Sequence, residues 1–261
     1  MRMSLMPIAM KIDLAKELAE ELNIEEVFSF KVGGMTVSVD ESTVVSVIIT
    51  VVMTLLALVL TRNLKVEGEI TKRQACLEML YTKFEGFFKG MLEPKAYRYI
   101  PWLMSVALYI GVANIIGLFG MKPPTKSMQV TAVLAVTSIV LVEYAGIRAK
   151  GFGGRLKAFA KPIWIITPIN ILELFTKPMS LCMRLFGNVL AAFTIMELIK
   201  IVTHNVIIPI IPSLYFDIFD GILQAYIFVF LTTIYIGEAV ETPEEEPKEK
   251  KKKHRKIKAK A

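Results

Sequence analysis

Nineteen consecutive residues, Thr43 to Thr61, carry no charge and almost no polarity. As a helix, a run of about 20 apolar residues spans the hydrocarbon layer of a bilayer. Inside that layer every main-chain N–H and C=O must find a partner within the protein, which leaves helices or closed barrels. The run has no charge and is long enough to span, so it predicts a transmembrane helix. Three more stretches read the same way: Ile100 to Gly120, Gln129 to Ile147, and about Tyr215 to Val240. A fifth, Pro162 to Thr203, is apolar but interrupted by charges. The chain is 54% hydrophobic over 261 residues, which excludes an ordinary soluble domain of this length.

The net charge of +7 does not point to nucleic acid. Much of it sits in Lys248 to Lys260 and in Lys/Arg clusters between apolar segments, where it reads as a topology signal. The loops 62–98, 148–161 and 241–261 are rich in Lys and Arg, whereas the loops 121–128 and 204–213 and the N-terminal segment are short, poor in base or net acidic. The positive-inside rule then places the N-terminus outside and the C-terminus in the cytoplasm, with five membrane segments between. Met1 to Met10 is only mildly apolar and runs into a charged stretch, so no signal peptide is expected. Three regions follow: an extracytoplasmic segment over 1–42, a membrane domain over 43–240 and a charged, solvated tail over 241–261.

Local patterns refine this outline. Residues 11–26 have helical periodicity and excess acid, as in a short surface helix. Val27 to Val39 alternates around Gly33-Gly34, as in a hairpin or an extended lead-in. Asp40-Glu41-Ser42 supplies a cap for the first span. Within 62–98, basic residues interleave with Leu77, Leu80, Phe84, Phe87, Phe88 and Met91, the pattern of an amphipathic helix lying at the interface. Cys76 and Cys182 sit in different settings and do not suggest a disulfide framework.

Arg184 is the costliest residue in the sequence. It stands in an apolar run, Pro178 to Ala192, and a guanidinium at bilayer depth costs about 2.5–3.5 kcal/mol on insertion scales. It needs a partner charge, a water-filled cavity or a task. The segment around it is too long for one upright crossing: 42 residues of helix would reach about 63 Å, twice the thickness of the layer. A tilted helix packed on protein accommodates that length. At 100° per residue, Glu173 falls at about −20° from Arg184, Lys177 at +20°, Asn188 at +40° and Ala191 at −20°, while Glu197 lies at about 220°. Gly187, Ala191 and Ala192 keep this stripe slim enough for another helix to approach. In the last span Asp217, Asp220 and Gln224 share a stripe, with Glu238 further along. The arrangement suggests two hydrated routes with the arginine between them.

Plainer readings remain open. Arg184 could pair internally with Glu173 or Asp220. Asn188 and Gln224 could be simple interhelical hydrogen bonds. Lys177 and Lys200 could be snorkelling, and Glu143 and Glu238 could be solvated at an interface. No phosphate loop, no Cys/His cluster of metal-binding spacing and no hydrolytic triad is present, so the chain is expected to use no cofactor or metal and to make or break no ATP by itself.

The segment Lys177-Pro-Met-Ser-Leu-Cys-Met-Arg184-Leu-Phe-Gly-Asn188 resembles the signature of the a subunit of F-type ATP synthase. Leu223 to Tyr235 is similar to that family's last-helix motif, and Asn114 to Leu118 and Pro168 to Glu173 resemble two further segments. The likeness covers about residues 40 to 240. It implies a stator subunit in a bacterial plasma membrane, held by b-type peripheral stalk subunits and facing a rotating ring of c subunits. Two offset half-channels would carry H+ or Na+ to the ring and couple that flow to ATP synthesis. Arg184 matches the essential arginine that meets the ring carboxylate and prevents a short-circuit. Asn188 and Gln224 match its polar neighbours, and Glu173 matches the acid of the cytoplasmic half-channel. Phe193 stands where some members have Glu or His, so the outer half-channel is assigned to Asp217, Asp220 and Glu197. A fixed cation favours the ionised form of a passing carboxylate, and arginine, unlike lysine, cannot lose its proton. The competing reading, a stand-alone transporter or channel, predicts an internal repeat, and none is visible.

Overall fold

The computed structural model describes residues 26–32, 35–65, 70–119, 121–159, 167–203 and 210–241. The helix expected over 11–26 and nearly all of the charged tail lie outside them. Two strands come first, β1 (Glu26–Val32) and β2 (Met35–Asp40), paired antiparallel as the alternation suggests. Asp40 then serves as the N-cap residue of α1 (Glu41–Thr61), although its carboxylate makes no capping hydrogen bond. Only Glu41 of the first turn faces the favourable end of the helix dipole.

Residues 62–98 do not form one helix. Arg62 and Asn63 end α1, Asn63 in the left-handed region at φ 62°. α2 (Lys72–Lys89) begins at Thr71, whose hydroxyl accepts from the Gln74 amide. The ends of α1 and α2 are stitched together by polar side chains. Arg73 Nη2 donates to the Arg62 carbonyl at 2.7 Å, and buried Gln74 exchanges hydrogen bonds with both main-chain groups of Lys65. A 3-10 turn (Pro94–Tyr99) leads straight into α3 (Ile100–Ile115), with Pro101 in the first turn, where its missing N–H costs nothing.

α4 (Met128–Lys150) ends at Gly151, whose φ of 74° suits glycine and whose N–H closes on the Ile147 carbonyl at 2.7 Å. The basic stretch 148–161, expected as a loop, instead finishes α4 and forms a short helix, α5 (Phe152–Phe159). Then come α6 (Thr167–Thr203), α7 (Ile210–Ser213), a π-helical segment (Leu214–Asp220) and α8 (Gly221–Val240). At 1.5 Å per residue, α6 is about 55 Å long, against a hydrocarbon layer of about 30 Å.

Five of these stretches are long and apolar enough to cross a membrane: Glu41–Thr61, Pro94–Phe119, Met128–Lys150, Thr167–Val202 and Leu214–Val240. The protein is an all-α membrane protein with a small hairpin at one end. α8 packs between α3 and α4, and α6 packs on α4 with only a slight contact to α8. Leu103, Ile110, Ala135, Val142, Leu181, Leu185, Phe228 and Ile236 form the shared core. Outside it, Val52, Leu58, Val59, Val133, Val140 and Phe175 are exposed, as expected where the solvent is lipid.

Candidate functional site

α6 has two unlike faces. Leu181, Cys182, Leu185, Val189 and Met196 recur at helical spacing and are buried, the face turned to α4. On the other side Met179, Ser180, Met183, Gly187, Asn188 and Ala191 are exposed, and Arg184 is half-buried among them. The guanidinium makes one weak contact, Nη2 to Ser180 Oγ at 3.5 Å. It forms no ion pair among the described residues. The internal partners considered for it are engaged elsewhere or stand apart: Glu173 pairs with Lys177, and Asp220 makes no ion pair among the described residues.

Glu173 and Lys177 do share the arginine's side of α6, as the spacing required. Lys177 is not a simple snorkelling residue. Its Nζ lies 3.3 Å from Glu173 and 3.0 Å from Glu238, and 4.9 Å from the centre of the Tyr235 ring. Glu238 and Glu143 are therefore not merely solvated. Glu143 receives a two-pronged ion pair from Arg155, with Nη2 to Oε1 at 2.7 Å and Nε to Oε2 at 3.0 Å. These charges surround an open polar cavity of about 330 Å³ between α4, α5, α6 and the end of α8.

The amides of Asn188 and Gln224 are not joined to each other or to other described residues. Asn188 is exposed on the open face, whereas Gln224 is 3% exposed in the core. The stripe read from Asp217 through Gln224 does not survive intact. Its first part is π-helical, and i→i+5 bonding widens the turn, so 100° per residue no longer holds there. Asp220 closes that segment half-buried, and the side chain of Asp217 lies outside the described residues. Glu197 is held by Lys200 one turn on, Nζ to Oε1 at 2.6 Å.

At the opposite end from the cavity, polar groups meet in a second cluster. Lys122 reaches Glu41 at 3.8 Å, tying the connection between α3 and α4 to the start of α1. Lys126, only 2% exposed, places its Nζ 3.8 Å from the centre of the Phe193 ring. Asn114 donates to the Gly221 carbonyl at 3.2 Å and accepts from Thr125 at 2.7 Å. Sequence reasoning missed these long-range contacts. Only Lys122 and Lys126, two lysines in a short loop assigned to the outer side, hinted at them. Among the described residues, no three His, Cys, Asp or Glu side chains are grouped to hold a metal ion.

The arrangement is thus two polar clusters at opposite ends of the bundle, with Arg184 between them on an exposed face, without an ion-pair partner among the described residues. A family profile described as ATP synthase A chain matches residues 43–237. ATP synthase subunit a 2 of Bradyrhizobium sp. is 36% identical over 194 residues, covering 73% of this chain and 85% of that protein. ATP synthase subunit a 1 of Prosthecochloris aestuarii is 33% identical over 189 residues, 71% of this chain and 83% of that protein. ATP synthase subunit a of Myxococcus xanthus is 34% identical over 216 residues, covering 73% and 71% respectively.

Proposed function

The chain belongs to the a-subunit family of F-type ATP synthase, and on that premise we propose that it is the ion-translocating stator subunit of such a complex. It faces a ring of c subunits, is braced by b-type stalk subunits and lies in a bacterial plasma membrane, N-terminus outside and C-terminus in the cytoplasm. The membrane domain spans 43–240, with α6 and the last helix strongly tilted against the ring. The chain performs no chemistry on ATP itself.

The observation that carries this reading is Arg184, half-buried on the uncovered face of α6 without a carboxylate partner among the described residues. A charge at that depth needs compensation. A carboxylate on a passing ring subunit supplies it in turn, once per step. In the cytoplasmic half-channel, H+ or Na+ moves along Glu173 toward the ring. In the outer one it moves along Asp217, Asp220 and Glu197. Asn188 and Gln224 flank the arginine and offer hydrogen bonds to the ring site as it passes. Arg184 keeps the ring carboxylate ionised while it changes half-channels and prevents an ion from crossing without rotation. A membrane potential supplies about 2.3 kcal/mol per charge per 100 mV, so several ions must pass for each ATP.

The test is ATP synthesis by the whole complex in vesicles under an imposed ion gradient. Arg184→Ala abolishes synthesis, although the complex still assembles and still hydrolyses ATP. Normal synthesis in that variant overturns the reading.

A further inference from the structure

Lys177 holds two carboxylates that are far apart in the sequence. Its Nζ is 3.3 Å from Glu173 Oε2, one turn back on α6, and 3.0 Å from Glu238 Oε2, near the end of α8. The three side chains line the polar cavity with Tyr235 and Asn170. Their exposures differ in a telling way: the lysine is 25% exposed, Glu173 51% and Glu238 55%. The cation is drawn inward and the two carboxylates stay wet. Pro178 follows immediately, and it has no N–H to offer the carbonyl of Leu174, a residue that also lines the cavity. The ammonium is shared by two carboxylates from different helices, and both remain open to the cavity. Surface pairs of this kind contribute little to stability.

We propose that Glu238 works with Glu173 at the cytoplasmic mouth of the ion path, and that Lys177 is the positioning residue that keeps both carboxylates within reach of one ammonium. The inference rests on the half-channel reading of Glu173 and extends it to a second helix. An ion entering the cavity meets two acceptors on opposite walls. Lys177 prevents either from swinging out to bulk water.

The experiment uses the complete synthase in vesicles, stripped of its peripheral ATPase sector, with passive ion flow driven by a potassium diffusion potential. Glu238→Gln and Lys177→Met each lower the conductance roughly tenfold or more, the scale on which a positioned proton acceptor acts. Lys177→Arg restores most of it, because the charge and its reach are kept. Normal conductance in Glu238→Gln overturns the proposal. A second arm does not depend on these variants assembling well. Glu238→Cys, in a chain also carrying Cys76→Ser, is treated from the cytoplasmic side with a cationic methanethiosulfonate. Block of conductance on modification supports the proposal, and complete modification with unchanged flow overturns it. Glu173→Gln separates the two levels of inference. Normal flow in that variant removes the half-channel reading and this proposal with it. Impaired flow there, beside normal flow in Glu238→Gln, removes this proposal alone.

Discussion

The side-chain amide of Asn114 donates to the main-chain carbonyl of Gly221 at 3.2 Å, fastening α3 to the start of α8. The approach is close: a Cβ at position 221 would stand 2.9 Å from the Asn114 Cβ. That contact leaves no room for a side chain without moving one helix. Gly221→Val is expected to destabilise the protein by about 1–3 kcal/mol through overpacking. Asn114→Ala is expected to cost a similar amount, about 1–3 kcal/mol, because it leaves the buried Thr125 hydroxyl without its acceptor. Unfolding of the detergent-solubilised complex in rising SDS measures both. Since they disrupt one contact, the double variant should lose less than the two single losses combined.

Arg155 grips Glu143 with two parallel hydrogen bonds, and its Nε and Cδ lie 3.1 and 3.2 Å from where a Cβ on Gly146 would stand. α5 is therefore clamped onto α4 by a fork that lysine cannot reproduce. Arg155→Lys should cost about 1 kcal/mol, close to the upper end for a pair still partly open to water. A double-mutant cycle with Glu143→Gln should return a coupling of about 1 kcal/mol in the same SDS titration. No coupling would mean that the clamp contributes shape only.

The five spans were legible because long apolar runs with few charges, once of helical length, have few other fates. The polar stripe on α6 was legible for a similar reason. Glu173, Lys177, Arg184 and Asn188 obey one periodicity, and α6 runs through all four without a break despite Pro178. What escaped was whatever depends on a second element. Lys177 and Glu238 are 61 residues apart, and nothing in either segment specifies the other. Residues 148–161 looked like a loop because three glycines and several bases mask an eight-residue helix that the Glu143–Arg155 contact helps to hold. The π-helical segment left no signature at all, and it is what breaks the predicted line from Asp217 to Gln224.

The acids assigned to the outer half-channel are not equivalent. Glu197 already has a cation, Lys200, at 2.6 Å, whereas Asp220 makes no ion pair among the described residues. Glu197 is matched one to one by its own cation, unlike Glu173 and Glu238, which share a single ammonium, and a fully matched carboxylate is the poorer ion acceptor. Asp220→Asn should therefore lower passive ion conductance in stripped vesicles several-fold more than Glu197→Gln does. The opposite order would place the route along α6 rather than along the start of the last span.

Gly187 separates folding from function. It sits on the uncovered face of α6, and a Cβ there meets nothing within 4 Å. Among the described residues there is therefore open space where a side chain at 187 would begin. Replacing glycine in a helix interior also removes a conformational penalty of about 0.8–1.0 kcal/mol. Gly187→Leu should leave the subunit as resistant to SDS as the parent, or slightly more so. On the proposed function, a neighbouring ring passes close to Arg184, three residues away. The added side chain intrudes into that gap, so ATP synthesis in vesicles should fall at least tenfold while assembly persists. Ala191→Leu, one turn further along the same face, should behave alike. If both variants synthesise ATP at the parental rate, this face of α6 is not the one that meets the ring.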